Sequence, residues 1–340
     1  MRIGLLTGGG DSPGCNSAIR AVVRRGVYGG HAIVGFCDGW LGVMEGRTRE
    51  LSRDDVSRIL FVGGTMLGTS RTNPFKIEGG PERCLKTLVA NRIDALITIG
   101  GDDTNGVAHR LAEHGVKAVG IPQTIDNDLP GTDYTLGFDS AVNIVMEAID
   151  RLHTTAESHH RVLVCEIMGR DAGWLALYGG LAGGADAIIL PENKFDLDQV
   201  VDIIRHRHAA GKRHSIVAIA EGAEPQEGQK ITLTHETDAF GHARLGGVGE
   251  MVAREIQERS GFETRVVILG HLQRGGAASA FDRILATRFG VKAVELCEAG
   301  EFGRMVAIRG MEVTSIPLAD ALGATRTVPE DIIRVAELVM

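Results

Sequence analysis

Three short segments of this sequence place glycine beside acidic or hydroxyl side chains, a composition suited to phosphate and metal chemistry. The first segment, residues 8–16 (GGGDSPGCN), stands between an apolar run and a helical pattern. Glycines allow backbone N–H groups to approach phosphate oxygens closely, and the N-terminus of a helix adds a favourable dipole. The segment fits neither the Walker pattern nor the dinucleotide fingerprint. It is a candidate phosphate loop, although a purely structural turn would use the same glycines.

The second segment, residues 99–104 (IGGDDT), ends an apolar strand pattern, where open α/β sheets bind their ligands. Two adjacent carboxylates, Asp102 and Asp103, suit a hard cation such as Mg²⁺ that bridges phosphate oxygens. The alternative is that one of these side chains only caps the helix that follows. A cap needs one such residue, whereas the segment offers three.

The third segment, residues 122–128 (PQTIDND), also follows a predicted strand. Its acidic and polar groups are costly to keep ordered unless they bind something. One carboxylate can accept the proton of an attacking hydroxyl group while another steers a metal ion or water. A plain Asx-turn loop is the alternative interpretation.

The elements that must position these segments alternate between short β-branched runs and amphipathic stretches, which predicts a mostly parallel α/β architecture. Strands are predicted at residues 3–7, 32–36, 95–100, 118–122, 162–167, 187–190, 216–220 and 265–269. Helices are predicted at residues 16–27, 139–157, 197–210, 248–259 and 280–298. The polar segment 224–245 is predicted to be a surface loop or a small hairpin.

Composition narrows the class of protein. The 340 residues are 44% hydrophobic, enough for one or two cores, and no apolar run reaches the ~18 residues that span a bilayer. With no signal-peptide pattern at the start and five scattered cysteines, we expect a cytoplasmic protein with reduced thiols and no membrane partner. A net charge of −8 argues against nucleic acid as a partner, so anionic substrates must be met by local arginine clusters.

Seven motifs, in order between residues 8 and 276, together resemble the phosphofructokinase family. They are GGGDSPGCNSAIR, GGTMLGTSR, IGGDDT, PQTIDND, MGRDAGWLAL, AEGA and GHLQRGG. The resemblance implies two Rossmann-like, three-layer α/β lobes with mostly parallel sheets. It implies a phosphoryl-donor lobe at 1–138 plus 251–304 and a sugar-phosphate lobe at 139–250 plus 305–340. The implied reaction is Mg²⁺-dependent phosphoryl transfer to the C1 hydroxyl of fructose 6-phosphate, giving fructose 1,6-bisphosphate.

The resemblance also implies roles for individual residues. Asp126 would be the base that takes the C1 hydroxyl proton, and Thr124 and Asp128 would support the transferring phosphate. Arg71 and Arg170 would offset charge on the migrating group, as phosphoryl transfer requires. The implied donor-binding residues are Gly9, Gly10, Arg71, Gly101, Asp102, Asp103, Thr104 and Gln123, with Asp102 linked to the metal.

For the sugar phosphate, the resemblance implies a cationic grip on the 6-phosphate and contacts to the sugar itself. The grip would consist of Arg161, Arg265, His271 and Arg274, and the sugar contacts of Met168, Gly169, Arg170 and Glu221. Guanidinium groups suit a phosphate dianion. In the family the equivalents of Arg161 and Arg265 reach across from a neighbouring subunit, so a homotetramer or homodimer is implied.

The family divides into enzymes that use ATP and enzymes that use pyrophosphate, and the residues at two positions follow this division. This chain has Asp103 and Gln123 where typical ATP users have glycine. An aspartate near the α-phosphate of a nucleotide adds like-charge repulsion in a partly dry site, which favours pyrophosphate. Pyrophosphate users usually carry lysine at the second position, so Gln123 leaves ATP as the alternative donor.

Three further alternatives follow from the same residues. The acceptor could be another ketose phosphate such as sedoheptulose 7-phosphate. A catalytically idle sugar-phosphate sensor is disfavoured, because it would not need the full set of acids and arginines. A nicotinamide dehydrogenase of similar topology would need a spaced-glycine fingerprint that the sequence lacks.

Overall fold

A computed structural model describes residues 1–226 and 247–340. The polar segment predicted to be a surface loop, residues 224–245, lies outside the described residues from 227 onward. Within the described ranges, no helix combines the length and apolar character needed to cross a bilayer.

The described part of the chain folds into two sheets flanked by helices. In chain order the strands are β1 (Arg2–Thr7), β2 (Ala32–Phe36), β3 (Thr48–Leu51), β4 (Ala95–Gly100), β5 (Ala118–Pro122), β6 (Val162–Ile167), β7 (Ala187–Ile189), β8 (Ser215–Ala220), β9 (Thr264–Ile268), β10 (Arg304–Arg309) and β11 (Glu312–Pro317). The helices are α1 (Cys15–Tyr28), α2 (Gly39–Glu45), α3 (Gly80–Ala90), α4 (Asp102–Ala112), α5 (Phe138–His159), α6 (Trp174–Ala182), α7 (Leu197–Ala209), α8 (Val248–Ser260), α9 (Ala280–Ala299) and α10 (Glu330–Val339).

The larger sheet has the strand order β11-β10-β5-β4-β1-β2-β3 among the described strands. Its central strands are parallel, while β3 and β11 pair antiparallel at the two edges. The smaller sheet has the order β7-β8-β6-β9, and all its pairs are parallel. Strands β4 and β6 are buried at every position, as expected for parallel sheets that helices cover on both faces.

Each sheet has its own pair of helical layers. Helices α1 and α9 pack on one face of the larger sheet, and α2, α3 and α4 pack on the other. Helices α5 and α6 cover one face of the smaller sheet, and α7 and α8 cover the other. The fold therefore consists of two three-layer units, which confirms the expected fold class.

The strands and helices predicted from the sequence are all present, with ends that differ by at most two residues. The implied division into lobes, however, disagrees with sheet membership at two places. Strand β9, assigned to the donor lobe, pairs with β6 in the smaller sheet. Strands β10 and β11, assigned to the sugar-phosphate lobe, extend the larger sheet through pairing with β5. The chain thus returns to the larger unit between β9 and α9, a crossing that local composition does not mark.

Candidate active site

The three segments singled out in the sequence begin side by side at one edge of the larger sheet. Parallel register places Thr7 beside Ile99 and Gly100 beside Pro122. The carboxyl ends of β1, β4 and β5 therefore direct all three segments into the same space, as open α/β sheets generally do.

This space is a cavity of about 200 Å³ between the two sheets. Its wall includes Gly9, Gly10, Arg71, Gly101, Asp102, Asp103, Thr104, Gln123, Thr124, Asp126, Asp128, Met168, Arg170, Asp171, Glu221, Arg274 and Thr325. Most of the residues predicted for catalysis, donor binding and sugar binding thus meet in one place.

The first glycine segment lies against the loop that carries Arg71. The amide of Gly9 donates to Ser70 O over 3.2 Å, and the Thr69 hydroxyl donates to Gly9 O over 2.7 Å. A Cβ atom at Gly10 would lie 2.5 Å from Nη1 of Arg274, so a larger residue there would displace this guanidinium group. Nη1 of Arg274 also donates to Asp11 O over 3.3 Å, so a cation packs directly against the backbone of the segment.

The acids of the second segment do not occupy the N-cap position of the following helix. That position belongs to Gly101, which has no side chain to cap α4. Asp102 and Asp103 occupy its first turn, where the helix dipole favours negative charge. Thr104 is 1% exposed and packs beneath Gly8, so it supports the loop as well as lining the cavity.

The third segment holds two acids in a tight loop. The Thr124 hydroxyl accepts from the amide of Asp126 over 3.2 Å and lies 3.4 Å from that residue's Oδ2. Asn127 adopts a left-handed backbone with φ of 53°, and its Oδ1 accepts from the amide of Thr135 over 3.0 Å. The bond to Asn127 spans eight residues, so it ties the loop to a later part of the chain and is not an Asx-turn. Asp126 and Asp128 line the cavity.

Burial and mutual repulsion make both acids harder to ionise. Burial raises the pKa of Asp126, although the positive charges of Arg274 and Arg170 oppose this rise. Burial also raises the pKa of Asp128, to about 7, and the charges of Asp126 and Asp102 add to the effect. A carboxyl group with a raised pKa is a better proton acceptor once ionised, which suits a general base.

The opposite wall of the cavity comes from the smaller sheet. The amide of Glu221 donates to Ile167 O over 2.8 Å, and the amide of Gly222 donates to Gly169 O over 3.0 Å. Gly169 has φ of 143°, a conformation that favours glycine. Burial raises the pKa of Glu221 to about 7, helped by the charge of Asp126 across the cavity. Charged groups on the two walls therefore interact across the cavity.

Four predicted sugar-phosphate residues do not line the cavity: Arg161, Gly169, Arg265 and His271. Gly169 shapes the wall through its backbone. Arg161 directly precedes β6 and Arg265 lies on the neighbouring β9, and both pair with Glu263, over 2.8 and 2.7 Å. The structure of one chain therefore brings these two arginines to each other but not to the base.

Two cavity residues, Asp171 and Thr325, were not predicted. Asp171 belongs to the quoted MGRDAGWLAL motif, and its charge contributes to the raised pKa of Asp128, so the motif could have drawn attention to it. Thr325 follows no recognisable pattern, because it comes from the segment between β11 and α10 that reaches the cavity only in the folded chain.

The cavity is compatible with a magnesium ion that bridges phosphate groups. No three His, Cys, Asp or Glu side chains form a complete metal cage within residues 1–226 and 247–340. Such an ion needs only one or two protein carboxylates, since water and phosphate supply the other ligands. Asp102 is close enough to raise the pKa of both Asp126 and Asp128. A divalent cation would relieve this repulsion.

Comparisons with known proteins agree with this geometry. A family model described as "Phosphofructokinase" matches residues 2–297. The chain is 54% identical over 340 residues to the pyrophosphate–fructose 6-phosphate 1-phosphotransferase of Amycolatopsis methanolica, covering 99% of both chains. It is 48% identical over 332 residues to the ATP-dependent 6-phosphofructokinase of Mycobacterium leprae, covering 97% of both.

The fold agrees as well. The crystal structure of Pichia pastoris phosphofructokinase in the T-state is similar with a TM-score of 0.84 and 36% identity, over 99% of this chain and 38% of the yeast chain. Matches of this extent, together with two sheets that enclose an acidic and arginine-lined cavity, identify the relationship. The chain belongs to the phosphofructokinase family.

Proposed function

We propose that this protein transfers a phosphoryl group from pyrophosphate to the C1 hydroxyl of fructose 6-phosphate, giving fructose 1,6-bisphosphate. The observation that carries the proposal is the cavity in which Asp126 and Asp128 face Arg170, Glu221 and Met168 across the gap between the sheets. One wall offers a base, and the other offers groups suited to a sugar. The name of the Amycolatopsis relative supports the same reaction.

Asp126 takes the proton of the C1 hydroxyl as that oxygen attacks the phosphorus atom. Its pKa is raised by burial, so the ionised form gains by accepting a proton. The charges of Arg274 and Arg170 oppose that rise in pKa and so favour the ionised form that a base needs. Arg71 and Arg170 line the same cavity and would offset negative charge on the transferring group.

Magnesium would be held by Asp102, with Asp103 beside it on the first turn of α4. When bound, the ion neutralises phosphate charge and aligns the donor. The buried Oε1 of Gln123 has no hydrogen-bond partner among the described atoms, and its Nε2 donates to Gly10 O over 3.1 Å. An acceptor held in this way can receive a hydrogen bond from a water molecule in the cavity.

The 6-phosphate would be gripped partly by a second copy of the chain. Arg161 and Arg265 lie outside the cavity of their own subunit, and Glu263 holds them together. This placement supports the family pattern in which both arginines serve a neighbouring active site. We therefore propose a homo-oligomer, a homodimer or homotetramer, with sites shared between subunits.

A mixing experiment tests the shared site. We expect Asp126→Asn and Arg265→Ala to be strongly impaired as separate proteins. When both variants are co-expressed in equal amounts, random pairing restores about a quarter of the parental activity, because a quarter of the sites combine two intact contributions. Activity that stays at the level of the separate variants would show that Arg265 does not serve a neighbour.

ATP is the alternative donor, and one structural feature favours it. A second cavity of about 340 Å³ adjoins the first and shares Asp102 and Asp103 with it. It is lined by Asn73, Asp102, Asp103, Gly106, Val107, His109, Arg110, Leu322 and Gly323. A nucleoside could lie there, but its α-phosphate would have to pass Asp103. The like charge favours pyrophosphate, which has no α-phosphate.

The direct test is an assay of the purified protein with fructose 6-phosphate and Mg²⁺, with pyrophosphate and ATP supplied separately. We expect turnover with pyrophosphate that exceeds turnover with ATP, and none after chelation of the metal. Sedoheptulose 7-phosphate as acceptor in the same assay tests the alternative substrate. Binding of fructose 6-phosphate without turnover from either donor would favour the sensor interpretation.

The state of the cysteines supports a proposal for the cellular location. All five cysteines are free thiols, and four of them are buried. Unpaired thiols of this kind are usual in reducing compartments. We therefore propose that the enzyme works in the cytoplasm.

A further inference from the structure

The segment of residues 325–328, here called the crossing segment, runs between the two units beside the active-site cavity. Before it, Leu318 is buried with the larger sheet. Its last residue, Val328, and the following Ile333 pack with α5 and α6. Thr325 forms part of the cavity wall. A segment anchored at both ends in different units is well placed to fix the two walls relative to each other.

Arg326 in the crossing segment holds the backbone of the loop that carries Asp126 and Asp128. Its amide donates to Asp128 O over 2.7 Å, and its Nη1 donates to Asn127 O over 3.1 Å. Asn127 is the residue with φ of 53°, a conformation that is uncommon for a residue other than glycine. A charged donor on its carbonyl helps to keep the loop in this conformation.

The same arginine is fixed by the opposite unit. Its guanidinium carbon lies 4.1 Å from the ring centroid of Trp174, the first residue of α6. The indole Nε1 of Trp174 donates to Arg326 O over 2.8 Å. Trp174 is 1% exposed, whereas Arg326 is half-buried, so the ring face that the guanidinium group covers is removed from solvent.

A second contact extends this link. Oε1 of Glu192 accepts from the amides of Gly173 and Val328, both over 2.9 Å. Gly173 directly precedes Trp174 and follows the loop of Arg170 and Asp171. The crossing segment is therefore linked on one side to the loop that carries Asp126 and Asp128. On the other side it is linked to the loop of Arg170 and Asp171, in the cavity wall formed by the smaller sheet, here called the sugar wall.

We propose that Arg326 is a positioning residue, which sets the placement of Asp126 and Asp128 against the sugar wall through Asn127 O, Asp128 O and the ring of Trp174. Arg326 itself does not line the cavity. The inference rests on the proposed function for its kinetic consequence, while its structural consequence is independent of the reaction.

The test compares Arg326→Ala with the parent protein in two measurements. Misplacement of catalytic groups by about 1 Å can cost ~10²-fold, so we expect kcat to fall by about 10- to 100-fold with little change in KM. Added guanidinium ion at low concentration should restore part of kcat, because it can occupy the space beside Trp174. Hydrogen exchange of the peptide that contains residues 124–136 should be faster in the variant.

Arg304→Ala is the matched control. Arg304 also donates two hydrogen bonds, both to Ser315 over 2.7 Å, but it lies on β10 away from the cavity. Arg304→Ala should be less stable than the parent but should keep its kcat, and added guanidinium ion should not raise that kcat. If Arg326→Ala does not fold, Arg326→Met keeps the aliphatic stem against Trp174 and should show the same fall in kcat.

The outcomes separate the two proposals. A parent protein without turnover defeats the proposed function, but faster exchange in the variant would still support the positioning role. A parent with turnover and a variant with unchanged kcat and unchanged exchange overturns the inference. A fall in kcat that guanidinium does not relieve, with unaltered exchange at residues 124–136, overturns it as well.

Discussion

Replacement of Asp126 by asparagine is expected to lower kcat by about 10³-fold, within the range that a general base contributes. Asparagine keeps the size of the side chain and can still hydrogen-bond with Thr124. It cannot accept the C1 hydroxyl proton. The KM for fructose 6-phosphate should change little, because the groups proposed to bind the sugar stay in place. Steady-state kinetics with saturating donor measures both constants.

Stability distinguishes this loss from unfolding. Burial raises the folded-state pKa of Asp126 above the value of 3.8 for an ordinary aspartate, so the ionised side chain destabilises the folded protein. Any stability from its neutral form is present below pH ~4 and is lost as the pH rises through the raised pKa. In the absence of metal and substrate, Asp126→Asn should therefore melt at a higher temperature than the parent, with a larger difference at pH 8 than at pH 5.

Asp186→Asn is the matched control, because Asp186 is also a buried aspartate but lies far from the cavity. It accepts from the amide of Ile216 over 2.8 Å and pairs with Arg207 over 2.7 Å. Its replacement should lower the melting temperature and leave kcat close to the parental value. An Asp126→Asn protein that turns over as fast as the parent would remove the base from the proposed mechanism.

The sequence predicted the cavity wall formed by the larger sheet better than the wall formed by the smaller sheet, for a physical reason. Residues 8–16, 99–104 and 122–128 stand at the carboxyl ends of three parallel strands of the larger sheet, so strand order alone brings them together. Their apolar strands are continuous runs that periodicity detects readily.

The contributions of Thr325, Arg326 and Trp174 depend on contacts between distant parts of the chain. Arg326 lies 199 residues from Asn127 in sequence, and its side chain contacts a backbone carbonyl and an aromatic ring. Asn127 and Trp174 both belong to motifs visible in the sequence, but nothing in either motif indicates that Arg326 is the partner. The return of β10 and β11 to the larger sheet is unpredictable for the same reason, since strand pairing is decided by packing and not by composition.

Donor choice gives the second large effect. We expect Asp103→Gly to raise kcat/KM for ATP by about 100-fold and to change the value for pyrophosphate much less. Two unit charges about 4 Å apart repel by roughly 4 kcal/mol at an effective dielectric constant near 20, and screening by Mg²⁺ would reduce this toward the ~2.7 kcal/mol that a 100-fold change represents. The adjoining cavity beyond Asp103 could then receive the nucleoside.

Asp103→Asn separates charge from bulk, since it removes the charge and keeps the size. If repulsion decides the donor, the asparagine variant should gain most of the activity with ATP that the glycine variant gains. If bulk decides donor choice, only the glycine variant should gain activity with ATP.

Gln123→Gly removes the hydrogen bond from Nε2 to Gly10 O and should weaken pyrophosphate use instead, because that bond holds the first glycine segment in place. Should none of these three variants alter the ratio of kcat/KM for the two donors, Asp103 and Gln123 do not control donor choice, and the preference for pyrophosphate must arise elsewhere in the cavity.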